Sequence, residues 1–209
     1  MNRLTRWEQD LVRDEWGKHL YCRDRARGQL WSLAFQPVRR KPTRYECRHG
    51  IGYNTLTSEH HGIRSDYTIF VPPDEPLEIW RVRLENRTRA RRTLDLFTAF
   101  EWNLGPAPDT HREFHKLFIE QAWVPSAHAL LATKRLSTIA EHGRGQPWNV
   151  EWPHVAFHAS SVAPLSFETD KERFLGRNGT PPAAAGAVRA AAVNTRGNGR
   201  TRWRRCTCR

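Results

Sequence analysis

The chain has 209 residues, enough for one large β-domain or two small units with a real hydrophobic core. With 38% hydrophobic residues, 27% charged residues, nine Trp and nine Phe, it is too aromatic for intrinsic disorder and too charged for a membrane span. The net charge of +12 comes largely from residues 181–209, which hold seven Arg and no acid, whereas residues 1–180 hold 27 basic and 22 acidic side chains. Because the charges of this body are mixed, they identify no specific nucleic-acid or membrane partner.

The first residues lack the apolar segment of a signal peptide, and no stretch approaches 18 uncharged apolar residues. We therefore expect a soluble protein of the cytoplasm. Cys22 and Cys47 fall in strand-like runs and are expected to be buried, reduced thiols, while Cys206 and Cys208 form a terminal Cys-x-Cys pair. Because no second pair accompanies it, we predict no metal site.

Alternating apolar runs separated by turn residues predict a β-rich body. In chain order, Gly28 closes a hairpin, Gly50-Ile51-Gly52 divides the next segment into two strands, and Pro72-Pro73 ends another strand. The predicted strands fall within residues 18–22, 30–35, 44–62 (two strands), 62–71, 77–86, 93–102, 116–123, 128–133, 154–160 and 164–168.

No helix of three turns with a periodic apolar face is predicted before Thr180. Long strands without intervening helices predict an all-β fold, a large antiparallel sandwich rather than a βαβ fold. Within these strands the alternation places Trp80 on an apolar face, where we expect it in the core. It places Asp95 on the opposite face of its own strand from Leu94, where we expect it to face solvent.

Residues 181–209 are rich in Ala, Gly and Arg and contain few large apolar side chains. They predict a disordered basic tail that is separate from a body at 1–180. One interpretation is a flexible arm that binds nucleic acid. The other is an extension without selected function, such as read-through in a shifted frame, and the abrupt change of composition after FLGRNGT favours it.

Several long strings occur together: YECRHGIGY, GIRSDYTIFVPPDEPLEIWRVRLENRT, LFTAFEW, WPHVAFHAS and ETDKERFLGRNGT. In this order they resemble the amino-terminal β-supersandwich domain of glycoside hydrolase family 94, formerly glycosyltransferase family 36, which includes the cellobiose phosphorylase-like enzymes. The segments HREFHKLFIEQ and ALLATKR are also similar to cyclic β-1,2-glucan synthases. The resemblance covers about residues 1–180.

The resemblance implies a galactose mutarotase-like supersandwich from a family whose catalytic Asp, phosphate-binding groups and most sugar contacts lie on a separate (α/α)6 barrel. It also implies that this chain is a fragment, truncated at both ends, and inactive by itself. The family consists of glycoside phosphorylases with glycosyltransferase-type activity, so inorganic phosphate is a co-substrate of the complete enzyme and no other cofactor is implied.

Candidate catalytic carboxylates are Asp95, Glu101 and Asp109, but none has a second carboxylate within a supporting motif. We therefore assign no catalytic residue. His111 and His115 are four residues apart, a spacing that suits a metal only on a helix, and the predicted structure there is a loop entering a strand. The adjacent pair His60-His61 likewise lacks a third ligand in the sequence.

The resemblance gives the loop Asp109–Lys116 a different role. In dimers of the cellobiose phosphorylase type, the corresponding loop reaches toward the sugar site of the neighbouring subunit. Arg112, His115 and Lys116 are therefore the predicted substrate-binding residues, with an oligosaccharide as the ligand. A homodimer, or association with the catalytic barrel, is the expected assembly.

Trp148 and Trp152 lie in the Pro-bearing segment QPWNVEWPH, where an exposed indole could stack on a sugar. Packing between sheets is the favoured role for both. The leading function is thus a non-catalytic, carbohydrate-binding sandwich domain in carbohydrate metabolism, and the alternative is a nucleic-acid or anion binder that acts through the Arg-rich tail.

Overall fold

The computed structural model of the chain describes residues 2–6, 10, 12, 16–106, 118–135, 152–184 and 202–208. Within these residues the chain forms fourteen strands in four antiparallel sheets, together with the short helix Lys171–Leu175. The all-β fold predicted from the alternating pattern is confirmed. In the described part of the chain, no helix has the length and apolarity that crossing a membrane requires.

Four consecutive strands form a meander sheet in which each strand pairs with the next: β4 (Arg44–Gly50), β5 (Tyr53–His60), β6 (Ile63–Phe70) and β7 (Ile79–Asn86). The β4–β5 turn needs glycine at two positions for different reasons. Gly52 has a φ of +79°, which disfavours a side chain. The ring of Tyr53 lies where a Cβ on Gly50 would be, 2.2 Å from that position.

A five-stranded sheet covers one face of the meander; its order is β13 (Ser166–Glu168), β14 (Arg202–Cys208), β8 (Leu94–Phe100), β2 (His19–Asp24) and β3 (Leu30–Ser32). Because β8 is central, both of its faces are buried. One face packs toward the meander, with a core of Leu20, Cys22, Trp31, Leu33, Ile63, Tyr67 and Leu94. The other face packs against the helix and the segment after it, with a core of Tyr21, Phe97, Ala99, Phe174, Leu175 and Ala184.

The double burial of β8 makes the solvent-facing prediction for Asp95 wrong. Asp95 is fully buried, with its Oδ2 3.4 Å from Arg25 Nε and 4.0 Å from Arg23 Nη1. Alternation separates the two faces of a strand, but it cannot tell which of them a second layer covers. Here the helix layer covers the Asp95 face, and Arg23 and Arg25 place their guanidinium groups beside the buried carboxylate from its solvent side.

The remaining strands form two smaller sheets: β1 (Asn2–Thr5) with β9 (Trp102–Pro106), and β10 (Ile119–Val124) with β11 (Ala129–Lys134) and β12 (Trp152–Ala159). Their shared core consists of Phe100, Trp102, Leu104, Ile119, Ala132 and Ala156. Trp80 joins this core to that of the meander, since its ring centroid lies 6.2 Å from those of both Tyr67 and Phe100. The core position predicted for Trp80 is confirmed.

A buried ion pair fastens the two large sheets at one end. Asp24 is fully buried at the end of β2, and Arg92, 8% exposed, directs both Nε and Nη2 toward its Oδ2 with an Nε–Oδ2 distance of 2.7 Å. Arg92 Nη1 also donates to the carbonyl of His61 in the β5–β6 turn, at 3.1 Å. Burial alone would raise the pKa of Asp24, but the backbone N–H of Arg27, the Arg92 guanidinium and the N–H of Ala26 together hold that pKa below its ordinary value.

Two pieces of the segment 181–209 lie within the described residues. β14 pairs with β13 on one side and over seven positions with β8 on the other, from Arg202 opposite Phe100 to Cys208 opposite Leu94. Pro181–Ala183 form a 3-10 turn whose Pro181 carbonyl accepts a hydrogen bond from the Tyr21 hydroxyl at 2.9 Å. A strand can pair in this way with few apolar side chains of its own, because the ladder is formed by backbone N–H and C=O groups. The rest of the expected tail lies outside the described residues.

Replacing Arg92 by Ala should lower the free energy of unfolding by about 3–5 kcal/mol, because it leaves a buried carboxylate without its partner. Urea unfolding followed by circular dichroism measures the loss. The matched control is Arg135→Ala, which removes the exposed Arg135–Glu120 pair at 3.1 Å and should cost less than about 1 kcal/mol. Equal losses at the two sites would show that the buried pair does not hold the sheets together.

Deleting residues 202–209 should lower the melting temperature by at least about 5 °C, because β8 and β13 both lose a pairing partner. Removal of Arg209 alone, which lies outside β14, is the control and should leave the melting temperature unchanged. Differential scanning calorimetry of the 202–209 deletion and of the chain that lacks only Arg209 measures the two melting temperatures. A deletion that melts like the full chain would favour the original expectation of an undocked tail.

Candidate functional site

Glu101, one of the candidate carboxylates, is held between two cations at the start of β9. Its Oε2 lies 3.2 Å from Arg6 Nη1, and its Oε1 accepts a hydrogen bond from Lys171 Nζ. Both cations also lie over the Trp16 ring, with Arg6 Cζ 3.9 Å and Lys171 Nζ 5.1 Å from its centroid. The carboxylate therefore links the amino-terminal segment, β9 and the start of the helix, which is a structural role.

The other described candidate, Asp95, is buried beside Arg25, and Asp109 lies outside the described residues. A general acid or base must be within reach of a substrate proton. The environments of Glu101 and Asp95 offer no such access, because basic side chains contact both carboxylates and both are buried.

The predicted substrate-binding residues Arg112, His115 and Lys116 also lie outside the described residues. The structure does describe the two strands between which they fall. β9 ends at Pro106 and pairs with β1, whereas β10 begins at Ile119 and pairs with β11. The chain segment that carries the predicted residues therefore runs between the two smaller sheets in sequence.

Trp148 and Trp152 are the two tryptophans considered for stacking on a sugar. Trp148 lies outside the described residues, whereas Trp152 begins β12 and is partly buried against the core of the smaller sheets. Its ring meets His154 edge-on, with centroids 5.3 Å apart. The structure therefore gives Trp152 a packing role, which sequence reasoning favoured.

Both histidines at the β5–β6 turn contact the ring of Trp31. His60 is 4% exposed and stacks on Trp31, with centroids 5.8 Å apart and an interplanar angle of 26°. His61 meets the same ring edge-on, also at 5.8 Å, and its Nε2 lies 3.0 Å from Arg40 Nη1. Across the described residues, His, Cys, Asp and Glu form no group of three or more that could hold a metal ion, and His111 and His115 lie outside them.

A polar cluster that sequence reasoning did not single out lies on the β4–β5 hairpin. Cys47 Sγ is 3.3 Å from His49 Nε2, and His49 Nδ1 is 2.5 Å from Asn54 Oδ1. All three side chains are exposed, so the burial expected for Cys47 is wrong, whereas that expected for Cys22 is confirmed. Cys47 lies on β4, an outer strand of the meander, which the five-stranded sheet leaves open at this point. The ring of Tyr45, 47% exposed, belongs to the same face of β4. The sequence contains a pattern that could have indicated this cluster. A Cys-x-His spacing puts both side chains on one face of a strand, and hairpin pairing puts Asn54 opposite His49.

The sequence profile of the glycosyl hydrolase 94 supersandwich domain matches residues 1–203. With four antiparallel sheets observed and a match over nearly the whole sequence, the chain belongs to this family. The supersandwich is a non-catalytic domain of carbohydrate-metabolising proteins, and the expected family is confirmed. The match continues past residue 180, where composition placed the end of the body.

Three relatives illustrate the similarity. The chain is 31% identical over 179 residues to the solabiose phosphorylase of Paenibacillus borealis, covering 85% of this chain and 22% of that enzyme. It is 34% identical over 104 residues to the N,N'-diacetylchitobiose phosphorylase of Vibrio furnissii, covering 49% of this chain and 13% of that enzyme. It is 29% identical over 177 residues to the cyclic beta-(1,2)-glucan synthase NdvB of Rhizobium meliloti (strain 1021), covering 84% of this chain and 6% of that enzyme. The chain therefore spans about a fifth or less of the length of these relatives.

His60 should make the stability of the fold depend on pH. Burial, together with the charges of His61 and Arg40, lowers the pKa of His60 to about 4, whereas an unfolded His titrates near 6.5. The stabilising contribution of neutral His60 is therefore complete above about pH 6.5 and is lost as the pH falls toward 4, by up to about 3 kcal/mol. His60→Phe keeps a ring on Trp31 and should lose less stability than the wild type between pH 7 and 4.5.

Urea unfolding at several pH values tests this expectation, with exposed His154→Phe as the control that keeps the wild-type dependence. Identical pH dependence in the wild type and His60→Phe would show that burial of His60 does not govern acid stability.

Proposed function

We propose that the chain is the carbohydrate-binding, non-catalytic sandwich domain of a glycoside phosphorylase or glycosyltransferase-36-like protein. The observation that carries the proposal is the family match over residues 1–203. The relatives named above act on solabiose, on N,N'-diacetylchitobiose and in the synthesis of cyclic β-1,2-glucan, which makes a short β-linked oligosaccharide the ligand class to test.

The loop between β9 and β10 is the proposed contact with the sugar. Arg112, His115 and Lys116 provide cationic and ring N–H donors within five residues. Charged donors form shorter and stronger hydrogen bonds to hydroxyl and phosphate oxygens than neutral donors do. The position of the loop supports this role, because it leaves β9 just after a core that Trp102 and Leu104 fix rigidly.

Catalysis is proposed to require a barrel in addition to this domain, with inorganic phosphate as the co-substrate. The engagement of Glu101 and Asp95 by basic side chains supports an inactive isolated domain. The assembly that we propose is a homodimer or a complex with that barrel. The compartment that we propose is the cytoplasm.

The test is isothermal titration of the full chain with solabiose, N,N'-diacetylchitobiose and β-1,2-glucan oligosaccharides. At least one ligand should bind, and Arg112→Ala/His115→Ala/Lys116→Ala should weaken it at least about tenfold through the loss of charged hydrogen bonds. The control, Arg173→Ala, removes an exposed cation on the helix and should bind as the wild type does. With phosphate added, no sugar 1-phosphate should form.

Binding that is unchanged in the triple variant would exclude the loop as the sugar contact. Absence of binding to all three ligands would contradict carbohydrate binding by this domain. Formation of a sugar 1-phosphate by the purified chain would contradict the non-catalytic assignment.

A further inference from the structure

The cluster on the β4–β5 hairpin has the parts of an activated nucleophile. Cys47 provides a thiol, His49 a nitrogen 3.3 Å from that sulfur, and Asn54 an oxygen 2.5 Å from the other ring nitrogen. A nucleophile beside a base that a third group orients is the arrangement that nucleophilic side chains in proteins use. The cluster is separate from the proposed sugar-binding loop in sequence and belongs to a different sheet.

The hydrogen bond to Asn54 sets the tautomer of the His49 ring, and the tautomer determines whether Nε2 can accept a proton. With Asn54 Oδ1 accepting from Nδ1–H, the ring is held in the tautomer whose Nε2 lone pair faces the Cys47 thiol. The hairpin register keeps this geometry, because His49 and Asn54 are directly paired across the two strands. Cys47 and His49 are two residues apart on β4, so their side chains leave the strand on the same face.

The surroundings leave the sulfur accessible. Cys47 and His49 are exposed, whereas Cys22 is completely buried in the core that faces the meander. On the opposite face of β4, Arg48 is engaged by Glu46, with Nε 2.5 Å from Oε1. Tyr45 lies beside the thiol on the exposed face, and burial together with the neighbouring Cys47 raises the pKa of its hydroxyl above the ordinary value, so it stays a neutral phenol.

We propose that Cys47 is a modification site, a thiol activated by His49 and positioned through Asn54, that forms mixed disulfides with small disulfide compounds. In the reaction, His49 Nε2 accepts the thiol proton and the Cys47 thiolate attacks one sulfur of the disulfide. A bond from Cys47 Sγ to that sulfur forms while the original S–S bond breaks, and the other half leaves as a thiolate. The small disulfide is the oxidant, so Cys47 is oxidised and the leaving half is reduced.

Thiol–disulfide exchange fits the cluster better than acyl transfer does. Exchange needs a base for the thiol proton and an accessible path to the sulfur, and the exposed hairpin supplies both in His49 and the open position of Cys47. Acyl transfer would require, in addition, donors aimed at a developing oxyanion. The mixed disulfide would place a bulky group on the exposed surface around Cys47 and would therefore alter that surface.

The test measures the rate at which the full chain reacts with 5,5'-dithiobis(2-nitrobenzoate) at pH 7.5, in a Cys206→Ser/Cys208→Ser background. The protein should release one equivalent of aryl thiolate from the reagent. The rate per thiol should be at least tenfold higher than that of free glutathione with the same reagent. Peptide mass spectrometry should place the adduct on Cys47. Cys47→Ser should abolish the release.

The variants separate the roles of the neighbours. His49→Ala should slow the reaction at least tenfold and Asn54→Ala about threefold. Asn54→Asp keeps an oxygen acceptor for His49 Nδ1–H, so this variant should react at the rate of the parent chain. The matched control, Arg48→Ala, removes a nearby cation from the opposite face and should stay within twofold of the parent. Melting curves verify that each variant is folded.

Two results would overturn the proposal. One is a reaction of Cys47 that is no faster than that of glutathione. The other is a His49→Ala variant that reacts at the parent rate, because the thiol would then be accessible but not activated.

Discussion

The buried Asp24–Arg92 pair fixes how the two large sheets meet, and the rest of the fold depends on that contact. Isolated charges cannot be taken out of water at a tolerable cost, so the pair persists only with hydrogen bonds around it. Backbone N–H groups of Ala26 and Arg27 donate to Asp24 Oδ1, and the His61 carbonyl accepts from Arg92. One ion pair therefore fixes the turn after β2, the turn between β5 and β6, and the connection that leads from β7 into β8.

The central position of β8 follows from that connection. Once the chain leaves the meander and enters β8, that strand pairs with β2 on one side and β14 on the other and receives a layer on each face. A charged residue on such a strand needs an oppositely charged partner, and Asp95 has one in Arg25. The same requirement operates at Glu101, where Arg6 and Lys171 meet one carboxylate over the Trp16 ring.

These neutralised carboxylates separate structural from chemical groups in the molecule. Of the candidate acids, the two that the structure describes, Asp95 and Glu101, contact basic side chains that hold segments together. The described side chains that combine a nucleophile, a base and solvent access lie instead on the β4–β5 hairpin. The proposed sugar binding and the proposed thiol chemistry therefore depend on different residues, and the two can be tested separately.

The sequence by itself determined the positions of most strands and the family, because period-two alternation and long matching strings are local properties of the chain. It identified Trp80 as core for the same reason. Only the tertiary structure decided that Asp95 is buried, that residues 202–208 complete a sheet and that Cys47, His49 and Asn54 form one cluster. Alternation assigns a side chain to a face, but which faces become covered, and which side chains on one face come within hydrogen-bonding distance, depends on layers and strand pairings formed by distant parts of the chain.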